Sequence, residues 1–148
     1  MRISADRPVP FECIWGASIN GVIMLLVAVS LATLILFALS AFQIALAAGA
    51  PFGRFAWGGE HRVLPATQRL ASMASVAIYA LVASFPLQKA GFIALWPAGW
   101  IEAGIWISAC TLAVSIGLNA MSRSRAERRV MTPVATILAI LFFIVSLS

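Results

Sequence analysis

The sequence predicts an all-α, polytopic membrane protein, a bundle of four transmembrane helices. Three observations carry that expectation. Hydrophobic residues make up 62% of the chain and charged residues only 10%, whereas a soluble domain carries about 25% charge. Mean hydropathy is +1.01. The apolar residues fall into four long runs separated by short polar connectors. A water-soluble domain of 148 residues has too much surface for its volume to hide that much apolar side chain, so lipid is the expected solvent. The length fits a single membrane domain, 1–148.

Residues 1–13 are polar, and Pro8 and Pro10 exclude a regular helix interior there. Cys13 to Ser18 reads as an interfacial approach with Trp15 at headgroup depth, or as a short helix lying in the interface. The apolar run that follows is too long for a signal-peptide core of about 7–15 residues. It is read as a retained transmembrane helix over 19–47. A crossing needs about 20 residues, so this helix is expected to tilt or protrude. Ser30, Thr33 and Ser40, with Phe37 between, fall on one stripe, expected as a helix-packing face. Ala41, Ala45 and Gly49 repeat every fourth residue near the helix end.

Gly49 and Pro51 end the first helix. The connector 48–65 carries Arg54, Trp57, Gly58, Gly59, Glu60, His61, Arg62 and Pro65. It is expected to fold back on the bundle, with Phe52, Phe55, Val63 and Leu64 packed down and Arg54, Glu60 and Arg62 facing water or lipid phosphate. A second helix spans 66–87, with Pro65 suited to its start. Gln68, Ser72, Ser75 and Tyr79 step by four, three and four residues, forming one polar stripe toward the bundle. The second connector runs through Phe92, Trp96 and Trp100, which read as an interfacial aromatic belt.

The third helix is expected over 101–119. Gly104, Ser108, Thr111, Ser115 and Asn119 share one helix-packing face, expected to meet the stripe of the second helix. Glu102 lies off that face near the membrane boundary. The fourth helix is expected over 130–147, with Pro133 in its first turn. Its scarcity of polar residues marks it as the outer, lipid-facing helix.

Net charge is +5, and nine of the ten basic residues are Arg. No motif supports nucleic-acid binding, so the basic balance is read as membrane anchoring. With four crossings, the first and third connectors share a side. That side holds Arg54, Arg62, Arg69, Arg123, Arg125, Arg128 and Arg129, against Arg2, Arg7 and Lys89 on the other. The positive-inside rule puts the seven Arg in the cytoplasm and both termini outside it.

Reactive chemistry is sparse. His61 is the single histidine, and Glu60 beside it with a distant Cys makes a poor metal set. No metal and no cofactor is expected. Gly58 and Gly59 lack the Lys-Ser/Thr and the preceding strand of a phosphate loop. No Ser/His/Asp set is present, and the five acids do not pair. Cys13 and Cys110 are read as free thiols, the second buried as a small hydrophobe.

Trp57, Gly58, Gly59, Leu64, Pro65 and Arg69, following a long first helix, resemble the first hairpin of small four-helix bacterial inner-membrane proteins of uncharacterised function. The resemblance implies a multi-pass protein of the bacterial inner membrane and assigns no activity.

Three functional readings follow. The first is a non-enzymatic accessory or oligomeric membrane component, in contact with lipids and with copies of itself or a larger membrane protein. The second is a lipid or small-hydrophobe binding protein with a pocket beneath the first connector. Its ligand-binding candidates are Arg54, Trp57, Glu60, His61, Arg62, Gln68, Ser72, Ser75 and Tyr79. The third is an intramembrane lipid-modifying enzyme relying on Glu60 and His61.

Overall fold

The computed structural model describes residues 11–148, with side chains described from residue 19 onward. The segment holding Arg2, Arg7, Pro8 and Pro10, and the side chains of Cys13 and Trp15, lie outside the described residues. Four α-helices form: α1 (Phe11–Ala47), α2 (Ala66–Lys89), α3 (Ala98–Ala120) and α4 (Arg125–Leu147). All four are long and apolar enough to cross a membrane. The helix α1 is continuous from Phe11, and its apolar stretch Ile19–Ala47 alone has 29 residues. That exceeds the about 20 residues a perpendicular crossing uses.

Each helix packs on its chain neighbours, and α4 closes back on α1. The result is an up-down-up-down ring in the order α1, α2, α3, α4. The hairpins α1–α2 and α3–α4 hold the largest contacts, as short connectors favour. Ala28, Val29, Ala32 and Leu36 of α1, Ile105 and Ala109 of α3, and Leu138, Leu141, Phe142 and Val145 of α4 form the central core.

The helix α4 is therefore not the outer helix its composition predicted. Ala135, Leu138, Phe142 and Val145 recur at helical spacing and turn inward, while Ile137, Ile140 and Phe143 face out. In lipid both faces of a helix are apolar, so lack of polar residues does not distinguish inside from outside. The helix also begins earlier than expected. Ser124 caps it, accepting from the Glu127 N–H at 3.3 Å, and Arg125 to Arg129 form its first turns. Pro133 consequently lies inside the helix.

The face of α1 that packs is likewise not the hydroxyl stripe. Ser30 and Phe37 are exposed, and Thr33 and Ser40 are half-buried. Ser40 donates to the Leu36 carbonyl at 2.8 Å. A hydroxyl satisfied by its own helix has no need of the interior, so the small apolar Ala28 and Ala32 set the close approach instead.

The helix α3 packs chiefly on α4 rather than on α2. Gly104 is the close approach to α2, because a Cβ there would drive into the Phe85 ring. Ser108 is buried, whereas Thr111 is exposed, outside the packing face expected of it. Both, with Ser115, donate to carbonyls four residues back at 2.7–2.9 Å. Cys110 is a free thiol, but exposed rather than buried.

At one end of the bundle, Gln88 ties the second connector down. Its Oε1 accepts from the N–H groups of Leu95 and Trp96 at 2.8 and 2.7 Å, and its Nε2 donates to the Trp96 carbonyl at 2.6 Å. Trp96 stacks on Phe85 with ring centroids 5.2 Å apart and donates to Ser84 Oγ at 2.9 Å. Trp96 is thus a packing residue, while Phe92 and Trp100 are exposed. Glu102 pairs with Lys89 at 3.0 Å.

Candidate functional site

The opposite end carries the first connector. A single turn of 3-10 helix, Gly53–Phe55, and a left-handed turn, Trp57–Gly59, shape it. Trp57, Gly58 and Gly59 all have positive φ, at 56°, 80° and 74°. For Trp57 this left-handed geometry is costly, and its surroundings hold it. The indole Nε1 donates to Ser72 Oγ at 3.2 Å, and Ser72 is fully buried on α2. Gly59 lies so close to α4 that a Cβ would come within 2.6 Å of Ser124 Cβ.

Below the turn, Leu46, Ala56 and Leu64 pack together with Phe42. Arg69 Nε donates to the Ala47 carbonyl at 2.6 Å, which caps the free end of α1. Arg54, Glu60 and Arg62 are exposed, as expected. Leu64 is buried and Phe55 half-buried, but Phe52 and Val63 stay exposed. One buried and one half-buried apolar side chain thus anchor this short loop.

Two hydrogen bonds join this connector to the third connector and the start of α4. Glu127 Oε2 accepts from the Gly58 N–H at 3.0 Å and from the Ser122 hydroxyl. Ser124 Oγ donates to the Arg54 carbonyl. Exposed Glu60 and Arg123 form a loose ion pair at 3.7 Å, of the kind that contributes little. The first and third connectors, with the helix ends beside them and the seven Arg these carry, therefore occupy one end of the bundle.

Beneath this lid lies a half-open cavity of about 320 Å³, walled by all four helices and the connector. Its polar lining is Gln43 of α1, Trp57 of the connector, Ser75 and Tyr79 of α2, Ser115 and Asn119 of α3, and Glu127 of α4. Leu39, Phe42, Phe55, Leu112, Met131 and Leu138 supply apolar walls. Gln43 is only 8% exposed, and its Oε1 has no hydrogen-bond partner. Ser75 donates to the Ala71 carbonyl at 3.0 Å.

Of the nine candidates read from the sequence, Trp57, Ser75 and Tyr79 line this cavity. Ser72 holds Trp57 in place. Gln68 sits half-buried on α2 with an unpartnered Oε1, off the cavity wall. Arg54, Glu60, His61 and Arg62 remain on the exposed upper surface. Among the described residues, no three His, Cys, Asp or Glu side chains come together as a metal site.

Sequence reasoning missed Gln43 and Glu127. The signal for Glu127 was present: Ser124 and Glu127 stand in the Ser-x-x-Glu spacing of a capping box. Here only half the box forms, since the carboxylate turns to Gly58 and Ser122 instead of back to the Ser124 N–H. Gln43 stands three residues after Ser40, next on the α1 stripe, but that stripe pointed to helix packing and not to a cavity. Comparison with protein-family models, curated proteins and solved structures finds no match to this chain.

Proposed function

We propose that this four-pass membrane protein binds a lipid-like or small hydrophobic ligand in the cavity under its first connector. The observation that supports this reading is a cavity of about 320 Å³ with polar groups grouped among apolar walls. Ligand sites have this mixed character, an apolar enclosure with a few convergent polar groups. The alternative of an accessory or oligomeric component draws no comparable support. The outward faces carry large apolar side chains such as Leu34, Phe37, Ile107 and Leu118, which hydrocarbon covers as well as a second chain would.

The proposal includes an orientation and a membrane. The end carrying seven Arg faces the cytoplasm by the positive-inside rule, which leaves Lys89 and Glu102 on the far side. The resemblance resting on Trp57, Gly58, Gly59, Leu64, Pro65 and Arg69 favours the bacterial inner membrane.

Native mass spectrometry of protein extracted in mild detergent tests the binding. One lipid-mass adduct per chain is expected. It is lost in Ser75→Phe or Ser115→Phe, which fill the cavity from two neighbouring helices. An adduct indifferent to both substitutions, or no adduct at all, overturns the reading.

A further inference from the structure

We propose that this cavity selects an amphiphile whose head donates hydrogen bonds and carries no negative charge, with its chain lying between α1 and α4. The proposal rests on the ligand-binding reading above and adds the chemistry of the head.

The walls hold several free acceptors, beside the amide N–H groups of Gln43. Gln43 lines the cavity, is more than nine-tenths buried, and leaves Oε1 without a donor. Ser75 and Ser115 give their single hydroxyl protons to their own helices, to Ala71 and Thr111 at 3.0 and 2.9 Å. Only lone pairs remain to them. Glu127 takes both of its hydrogen bonds on Oε2, which leaves Oε1 open among the described residues. Neither of the ion pairs among those residues involves Glu127. Tyr79 and Asn119 can serve either way.

No Lys or Arg lines the cavity. Arg54, Arg123, Arg125, Arg128 and Arg129 are all exposed around it. A phosphate or carboxylate head is drawn to that outer surface and meets the Glu127 carboxylate, with no cation to offset it, within. A hydroxyl or an ammonium meets partners instead, since a buried acceptor left without a donor is unfavourable.

The chain has a place to go. A groove of about 590 Å³ between α1 and α4 is lined only by apolar side chains. It shares Leu39, Phe42, Phe55, Met131 and Val134 with the cavity. Head site and chain groove therefore have a common wall.

The test uses the purified full chain in mild non-ionic detergent, with 1-dodecylamine, 1-dodecanol, dodecanoate and dodecyl phosphate added separately. Native mass spectrometry reads the retained adduct. The amine and the alcohol are expected to be retained at least roughly tenfold better than the two anions, the scale of a lost hydrogen bond at a buried group. Gln43→Leu lowers retention of both donors by roughly the same factor, and Glu127→Gln lowers the amine more than the alcohol. If all four probes are held equally, the head selectivity falls while ligand binding stands. If none is held, both fall. Donor-headed probes held equally by wild type and both variants place the head elsewhere and overturn the inference.

Discussion

The carboxylate of Glu127 accepts the backbone N–H of Gly58 at 3.0 Å, so the first turn of α4 holds the loop between α1 and α2 across 69 residues of chain. Hydrogen bonds to a charged group contribute about 1.5–3 kcal/mol. Glu127→Ala is expected to lose on that order and to speed hydrogen exchange at the Gly58 amide. Glu127→Gln, which keeps an acceptor, should lose less. Unchanged Gly58 protection in Glu127→Ala would show that the bond does not hold the loop.

Neighbouring glycines separate backbone strain from close approach. Gly58 and Gly59 both have positive φ, but a Cβ on Gly58 meets nothing within 4 Å, while on Gly59 it meets Ser124. Gly58→Ala is expected to cost about 1 kcal/mol from the left-handed backbone alone. Gly59→Ala should cost about 1–3 kcal/mol more by overpacking and should expose residues 52–64 to limited proteolysis. Equal thermal stability of the two variants would refute the contact with Ser124.

The indole of Trp57 bonds Ser72, which is fully buried. A double-mutant cycle of Trp57→Phe and Ser72→Ala should give a coupling of about 0.5–1.5 kcal/mol. Additive effects would mean that the left-handed conformation of Trp57 is held by something else.

Burial along α4 sets a periodic expectation. Leu138→Ala and Phe142→Ala, at 2% and 0% exposure, should destabilise the protein by about 2–5 kcal/mol. Ile137→Ala and Ile140→Ala, at 48% and 55% exposure, should stay within about 0.5 kcal/mol. Thermal unfolding in a single detergent compares them. The reverse ranking would restore α4 to the lipid-facing position.

Orientation is checked by thiol labelling in a background with Cys13→Ser and Cys110→Ser. Glu60→Cys and Ala126→Cys are expected to react only from the cytoplasmic side, and Ala94→Cys only from the other. Labels at 60 and 126 from opposite sides would contradict the hydrogen bonds that join their connectors.

Four helices were legible because apolar runs of crossing length leave a chain in lipid few other ways to satisfy its backbone. The place of each helix was less so. Gln68, Ser72, Ser75 and Tyr79 were readable as a stripe, and two of them reach the cavity. Ser30 and Thr111 obeyed the same spacing yet face outward, and a hydroxyl satisfied within its own helix, as that of Thr111 is, does not report which way it points. Glu127 was hidden among four Arg, and its role depends on Gly58, far off in sequence. Gln43 emerged only when four walls stood around it.

The inward stripe of α4 bears on how the protein is made. A ribosome delivers that helix after the other three, so during synthesis Ala28, Ala32 and Leu36 meet acyl chains where Leu138 and Phe142 later belong. The connector between α1 and α2 has its turn in sequence early but its latch, Glu127, only with the fourth helix. Closure of the lid is thereby tied to arrival of the fourth membrane segment, and a nascent chain halted before Arg125 should leave that loop open.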